Sequence, residues 1–417
     1  MFRPTFGGSG FDVFLASPEF QADPYDALRQ LRENDPVYWC EPIGAWIVTR
    51  FDDCMRTYLE VDAYSNEGRL AGTLKHLPAE EQEQLADFTR FYRAKGLIHS
   101  DPPDHTRLRR LITKAGFSAS QVEALRPKVE VIVDELLAET AARGSMNVID
   151  DLAAVLPMTV LCDLLGVPHA DGNFFRPLAD RLLGFQGRNK PSLDSLLAAQ
   201  QGIRDLRVYL DAAPARFADG TNDPDALLGR LFAARDDADD PLGEDELVNT
   251  VGTLLIAGHE TTTSLIGNGL YTLLRHRDQW ELLCSNPALL PQATEEMLRY
   301  ESPLTRQPRL MKADAELGGK TIRAGETVFH MMNGANRDPE HFANPETFDI
   351  TVPRGKHLAF GQGIHFCLGA PLARLEGSVV FAALIERMPH LQLAEPAPNW
   401  VTDKPTVRTL DALHVAF

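Results

Sequence analysis

The stretch from Glu244 to Leu274 is the longest helical pattern in the chain and constrains its architecture most. It starts after Pro241, and Glu244, Asp245 and Glu246 put negative charge in the first turn, where the helix dipole favours it. At about 1.5 Å per residue the helix spans roughly 45 Å, enough to cross a whole domain. Its middle, Leu254-Leu255-Ile256-Ala257, is apolar on every side, which predicts burial. That buried run then meets Gly258-His259-Glu260-Thr261-Thr262-Thr263. Glycine and successive threonines are poor helix formers, and threonine hydroxyls bond back to carbonyls a turn earlier. A local distortion is therefore expected where polar groups enter an apolar core, and such a conflict asks for a functional reason.

Helical periodicity dominates elsewhere too. Asp23 to Glu33 carries Leu28 and Leu31; Pro127 to Thr140 sets Val129, Ile132, Val133 and Leu136 on one face; Leu193 to Ala212 repeats the spacing. Strand-like pieces are short: Val37 to Cys40, Ala45 to Val48, Val328 to Met331, and Val407 to Phe417. They do not alternate with the helices, which argues against a doubly wound parallel sheet. The expected fold is mainly α with small β-sheets at one side. Proline and glycine are scattered, so no linker divides residues 1–417, and one domain is expected.

A net charge of −18 speaks against nucleic acid as the main partner. No run of about 18 apolar residues is present, so no membrane span is expected. The cysteines Cys40, Cys54, Cys162, Cys284 and Cys367 are odd in number and widely spaced, which argues for a reducing, cytoplasmic setting rather than a disulfide framework. Arg107, Arg109, Arg110 and Lys114 cluster against this acidic background, as a solvated helix face or a local site.

The most specific signal is Phe360-Gly361-Gln362-Gly363-Ile364-His365-Phe366-Cys367-Leu368-Gly369. Its glycines permit tight turns and close backbone approach to something flat or bulky. Cys367 precedes a helical run, Ala370 to Arg387, whose N-terminal dipole and free N–H groups should lower the thiol pKa. A thiolate is a proximal donor for haem iron; the bland alternative is a buried structural cysteine. Gly361-x-Gly363 is not a dinucleotide fingerprint, because Phe366 stands where the third glycine belongs. His259-Glu260 is not a zincin helix, because Thr263 takes the second histidine's place. His357, His365 and Cys367 have the right types for zinc but no recognised spacing.

The Cys367 loop, the Ala257 to Thr262 segment and Glu296-Met297-Leu298-Arg299, in this order, resemble a bacterial cytochrome P-450. Asp101-Pro102-Pro103-Asp104-His105-Thr106-Arg107 and Asn336-Arg337-Asp338-Pro339 extend the resemblance from about Asp23 to the C-terminus. The resemblance implies a single-domain triangular fold with haem b (iron protoporphyrin IX) between the long central helix and the cysteine-loop helix. Cys367 would be the axial ligand. His105, Arg109, Arg309 and His365 match propionate contacts, and Ala257, Gly258, Phe360, Gly361 and Gly369 match further haem contacts. Glu296 and Arg299 match a buried structural ion pair. Relatives often add an arginine within Thr347 to Val352; here the first is Arg354, whose part in the pair is left open. Glu260 and Thr261 match an acid–alcohol pair that relays protons during oxygen activation.

The implied activity is hydroxylation or epoxidation of a small hydrophobic substrate with O2. About 50 residues follow the cysteine loop, too few for a flavin or iron–sulfur domain. The two electrons are therefore expected from a separate ferredoxin or flavodoxin with its reductase. Arg107, Arg110, Lys114 and Arg374 are candidates for its docking patch. The pocket is expected from parts of Tyr64 to Ile98, Leu183 to Pro191, Leu254 to Ala257, Leu304 to Gln307 and Thr406 to Val407, with Gly184 and Gly187 flanking Phe185 in a lid. Arg306 is unusual in its segment; its expected place is solvent, with a substrate carboxylate as the alternative. Two other readings are a peroxide-driven haem enzyme and a haem protein that binds ligand without turnover.

Overall fold

The acidic run at Glu244 opens a helix that continues unbroken to Arg275 in the computed structural model, which describes residues 4–68, 71–188, 190–236, 240–395 and 399–417. The Glu246 carboxylate turns back to accept the Gly243 N–H at 2.9 Å, closing the first turn. Leu255, Ile266, Leu270 and Leu273 are buried, and with them the polar Asn249, Thr253, His259 and Glu260. The expected distortion does not interrupt the helix. Instead the hydroxyls of Thr261, Thr263 and Ser264 donate to the carbonyls of Ala257, His259 and Glu260, at 2.7, 3.0 and 2.8 Å.

Helices Leu156–Leu165, Gly172–Leu183, Leu290–Tyr300 and Ala370–Arg387 pack around this central helix. Gly269 is what allows two of them so near. A Cβ there would stand 2.7 Å from Met297 Sδ and 3.1 Å from Phe381 Cζ. Helices Tyr25–Asn34, Arg126–Ala141 and Leu193–Asp211 fall close to their expected bounds.

At one side lies a five-stranded sheet in the order Val37–Cys40, Ala45–Val48, Thr327–Met331, Arg306–Met311, Tyr64–Ser65. Its pairs are antiparallel except Ala45–Val48 with Thr327–Met331. Arg306 stands opposite Met331, and Arg309 opposite Val328. The C-terminal strand is shorter than its apolar pattern suggests. Only His414–Ala416 forms one, between Ser145–Asn147 and Gln392–Leu393. Val407 and Leu410 make isolated bridges to Leu304 and Trp400. Val407 lines the cavity, and Arg408 is held by Glu301 and by the Asn268 amide rather than by strand pairing. No helix among the described residues is long and apolar enough to cross a membrane.

Beneath the cysteine loop Glu296 and Arg299 form a two-pronged ion pair, at 2.7 and 2.8 Å, with both side chains fully enclosed. Arg299 also donates to the carbonyls of Asn336 and Pro345, at 2.9 and 2.8 Å. Arg354 does join: its guanidinium lies 3.5 Å from Glu296 and donates to the Thr347 carbonyl at 2.9 Å. Backbone carbonyls of two separate segments, at Asn336 and at Pro345 and Thr347, thus converge on this charge cluster. Removing one partner of such a pair costs roughly 3–5 kcal/mol, because the other charge stays buried. Arg299→Ala is expected to lower the thermal unfolding midpoint sharply or to prevent folding; an unchanged midpoint contradicts this role.

Candidate active site

The sequence places its chemistry around one cavity of about 280 Å³. The central helix contributes Ala257, Gly258, Glu260 and Thr261; helix Asp104–Ile112 contributes His105 and Arg109; the cysteine loop contributes Phe360, His365, Cys367 and Gly369. Arg309 and Gly361 are not in the wall. Both lie behind it against Tyr58: the Arg309 guanidinium sits 5.1 Å from the ring centre, and a Cβ on Gly361 would be 3.3 Å from the ring edge.

The loop is held by its own backbone. The Cys367 N–H donates to the Phe360 carbonyl at 2.9 Å, and the Phe366 N–H to Gly363 at 3.1 Å. Gly363 has φ +70°, and a Cβ there would be 2.5 Å from the Tyr58 carbonyl oxygen, so only glycine fits. Arg374 stacks over Phe360 at 4.5 Å and grips Glu295 with two bonds of 2.7 and 2.9 Å. Cys367 is exposed to the cavity, and its thiol is desolvated by the surrounding fold. The expectation of a lowered thiol pKa is corrected here. Burial pushes it up, against the N–H groups of Gly369 and Ala370 and the charges of Arg109 and Arg374. The helix N-terminus supplies its donors, and desolvation outweighs them.

The cations around the cavity share one peculiarity. Neither ring nitrogen of the buried His105 has a hydrogen-bond partner. Burial, then Arg109, lowers its pKa. Arg109 donates only to the Ile364 carbonyl, at 3.2 Å, and its pKa is lowered by burial. Arg309, also buried, donates to the Pro308 carbonyl at 3.0 Å. None of the three meets a carboxylate among the described residues. His365 stacks edge-on against His105 with ring centres 4.3 Å apart. An apolar cavity with a thiol at its wall and buried cations lacking acids fits a flat apolar metal complex bearing carboxylates, as haem is.

Along the central helix, the Thr261 hydroxyl spends its proton on the Ala257 carbonyl. Its oxygen lone pairs are left for the cavity. Glu260 turns to Lys404, which ion-pairs with it and lies 3.3 Å from Asp180. The second Glu260 oxygen is buried without a partner. Burial raises the Glu260 pKa while Lys404 pulls it down. The side chains grow more exposed outward, 10% at Glu260, 26% at Lys404 and 51% at Asp180, so the three form a chain from cavity to solvent. Next to it, burial holds His259 near pKa 4, hence neutral.

Lys404 and Asp180 are absent from the sequence reading; the one signal was that Lys404 lies beside the Thr406–Val407 pocket segment. Phe117, Leu161 and Leu164 also line the cavity unannounced, as does Glu376, whose carboxyl burial pushes up to about 8. Among the described residues from Tyr64 to Ile98 only Leu97 and Ile98 reach the wall, and the lid residue Phe185 is buried against Phe88 and Tyr92. Arg306 is buried, not solvent-facing, and lines the cavity. The basic patch is largely paired: Arg107 with Asp240 and Glu246, Arg110 with Asp240, Arg374 with Glu295. The zinc alternative fails, since His357 is bonded to Glu295 and no metal-holding cluster exists among the described residues.

Known proteins agree with this geometry. The family model for cytochrome P450 matches residues 203–285 and 285–399. Cytochrome P450 CYP107DY1 of Priestia megaterium is 35% identical over 97% of this chain and 98% of its own length. The 6-deoxyerythronolide B hydroxylase of Saccharopolyspora erythraea is 38% identical over 93% of this chain and 94% of its own. The structure of CYP109E1 from Bacillus megaterium in complex with testosterone superposes with a TM-score of 0.84 at 30% identity, covering 96% of this chain and 99% of that one. The chain belongs to the cytochrome P450 family and is a haem-dependent monooxygenase.

Proposed function

We propose that residues 1–417 act as one haem-thiolate domain that hydroxylates or epoxidises a small hydrophobic substrate. O2 is the oxidant, and two electrons come from a separate ferredoxin or flavodoxin with its reductase. The observation that carries the reading is that one cavity is bounded both by Cys367 and by the Glu260–Thr261 pair. In this reading Cys367 holds the iron, while His105, Arg109, Arg309 and His365 meet the haem carboxylates. Ala257, Gly258, Phe360, Gly361 and Gly369 shape the space for the ring. Haem supplies the redox chemistry that activates O2 and delivers one of its atoms to the substrate.

The chain's own residues govern protons and water. Leu254, Leu304 and Val407 give the cavity apolar walls that exclude bulk solvent. The Thr261 oxygen accepts a hydrogen bond from whatever lies against it, and the buried Glu260 carboxyl holds the next proton. Lys404 and Asp180 connect that carboxyl to solvent. A protein that only bound a ligand would have no use for this chain of titratable groups, and a peroxide-driven enzyme would need no reductant. The hydroxylase from Saccharopolyspora erythraea and the testosterone-bound relative support a substrate of polyketide or steroid kind, in secondary metabolism or catabolism. The partner would dock on the face of Arg107, Arg110, Lys114 and Arg374, where the exposed Arg110–Asp240 pair is weak enough to exchange.

Thr261→Ala is expected to cut product formed per electron pair by roughly tenfold or more, general acid–base groups being worth typically 10²–10⁴. The lost electrons should appear as hydrogen peroxide, and unchanged coupling removes Thr261 from the mechanism. Lys404 is the group that lowers the Glu260 pKa, so Lys404→Met should raise it further. Product formation that needs the ionised carboxyl should then fail at higher pH than in the parent, with Lys404→Arg restoring the profile. Coincident pH profiles for all three proteins contradict this.

A further inference from the structure

Arg306 begins the strand Arg306–Met311, and its guanidinium is enclosed. One nitrogen donates to the Gly187 carbonyl at 3.0 Å, and its carbon lies 4.9 Å over the Phe329 ring centre. Nε has no partner at all. Most of the other enclosed arginine side chains have acids: Arg32 and Arg337 face Glu346, Arg299 and Arg354 meet Glu296, and Arg408 meets Glu301. Arg109 and Arg309 lack one, and the reading above gives them the haem carboxylates. Arg306 is left over. Burial pulls its pKa down to about 10, so it is still charged at neutral pH, and the one titratable group that pulls the other way is the Cys40 thiol. An enclosed cation without a counter-charge is strongly disfavoured unless something brings the charge to it.

Where the guanidinium sits says what could bring it. Leu304, Gln307, Gln186 and Thr406 line the cavity around it, and Gly187 follows Gln186 in the turn after helix Gly172–Leu183. A Cβ on Gly187 would be 2.4 Å from the Thr406 methyl, so the guanidinium is anchored where the turn meets the cavity rim. Apart from the Thr406 hydroxyl the wall at this point is apolar or amide, and Arg188, the next cation along the turn, points to the Gly184 and Asp403 carbonyls instead. A dianion such as a phosphate monoester would ask for more than one cation; a carboxylate matches a single planar guanidinium.

We propose that Arg306 docks a carboxylate on the substrate, so that the enzyme selects hydrophobic acids over their neutral analogues. This rests on the haem-thiolate reading and specifies its substrate class. The probes are dodecanoic acid and lithocholic acid, each with its methyl ester, titrated into the haem-loaded enzyme and followed by the Soret shift. At least one acid should bind roughly 10- to 100-fold more tightly than its ester, the range expected for a charged hydrogen bond. In Arg306→Gln that preference should fall to within about twofold, and Arg306→Lys should keep part of it. Haem content and the spectrum of the reduced carbon monoxide complex should be the same in all three. The proposal is overturned if neither acid shifts the spectrum, if acids and esters bind alike in the parent, or if the preference survives in Arg306→Gln. Loss of haem from Arg306→Gln overturns it too, since Arg306 would then serve the cofactor. Failure of the haem-thiolate reading itself would show earlier, in the parent's spectrum before any ligand is added.

Discussion

One sulfur, desolvated by the surrounding fold, must be presented to a cavity that water does not fill. Cys367 meets this condition because its N–H is tied to the Phe360 carbonyl and because Gly363 lies flat against the Tyr58 backbone. The loop is then clamped from outside by Arg374, which binds Glu295 and covers Phe360. Burial pushes Glu295 up, yet Arg374 and His357 outweigh it and bring that carboxyl down to about 2, so the clamp is charged at any ordinary pH. Under it the Glu296–Arg299–Arg354 cluster ties the helix to two stretches of irregular backbone. Without these, a thiol that pays the desolvation cost of this position would have no fixed direction.

The same logic sorts the charges around the cavity. The fold pairs most of its enclosed arginines with glutamates of its own, and leaves His105, Arg109, Arg309 and Arg306 without one. Unpaired basic side chains in and just behind the wall of an apolar space define complementary anions more sharply than any single contact does. The one acid that reaches inward from solvent, Glu260, is held by Lys404 rather than left to the cavity. Its unpartnered oxygen and the lone pairs of Thr261 are among the polar groups the central helix offers there, beside Thr253 and Thr262.

Much of this was legible along the chain. The acidic start of the central helix, the strands Val37–Cys40 and Ala45–Val48, and ten of the wall residues from His105 to Gly369 follow from local pattern and motif. What was not legible depends on distance in sequence. Lys404 meets Glu260 from the C-terminal segment, and no periodicity connects them. Arg306 is expected in solvent as a charged residue that stands out in its segment; the sheet pairing and the Gly187 turn enclose it. Val407 to Phe417 has a strand's composition, yet only His414–Ala416 forms a strand, and Val407 and Leu410 make isolated bridges. The thiol pKa was misjudged in the same way: dipole and donors are local and visible, whereas burial is a property of the whole fold.

Ligation by Cys367 is the claim to which the others are attached. It is tested most directly by the absorption spectrum of the reduced protein under carbon monoxide, taken for the parent and for Cys367→Ser. The parent should show the strongly red-shifted Soret band of thiolate ligation, and the variant should lose it. A purified parent without haem, or a variant whose spectrum matches the parent's, would contradict the account.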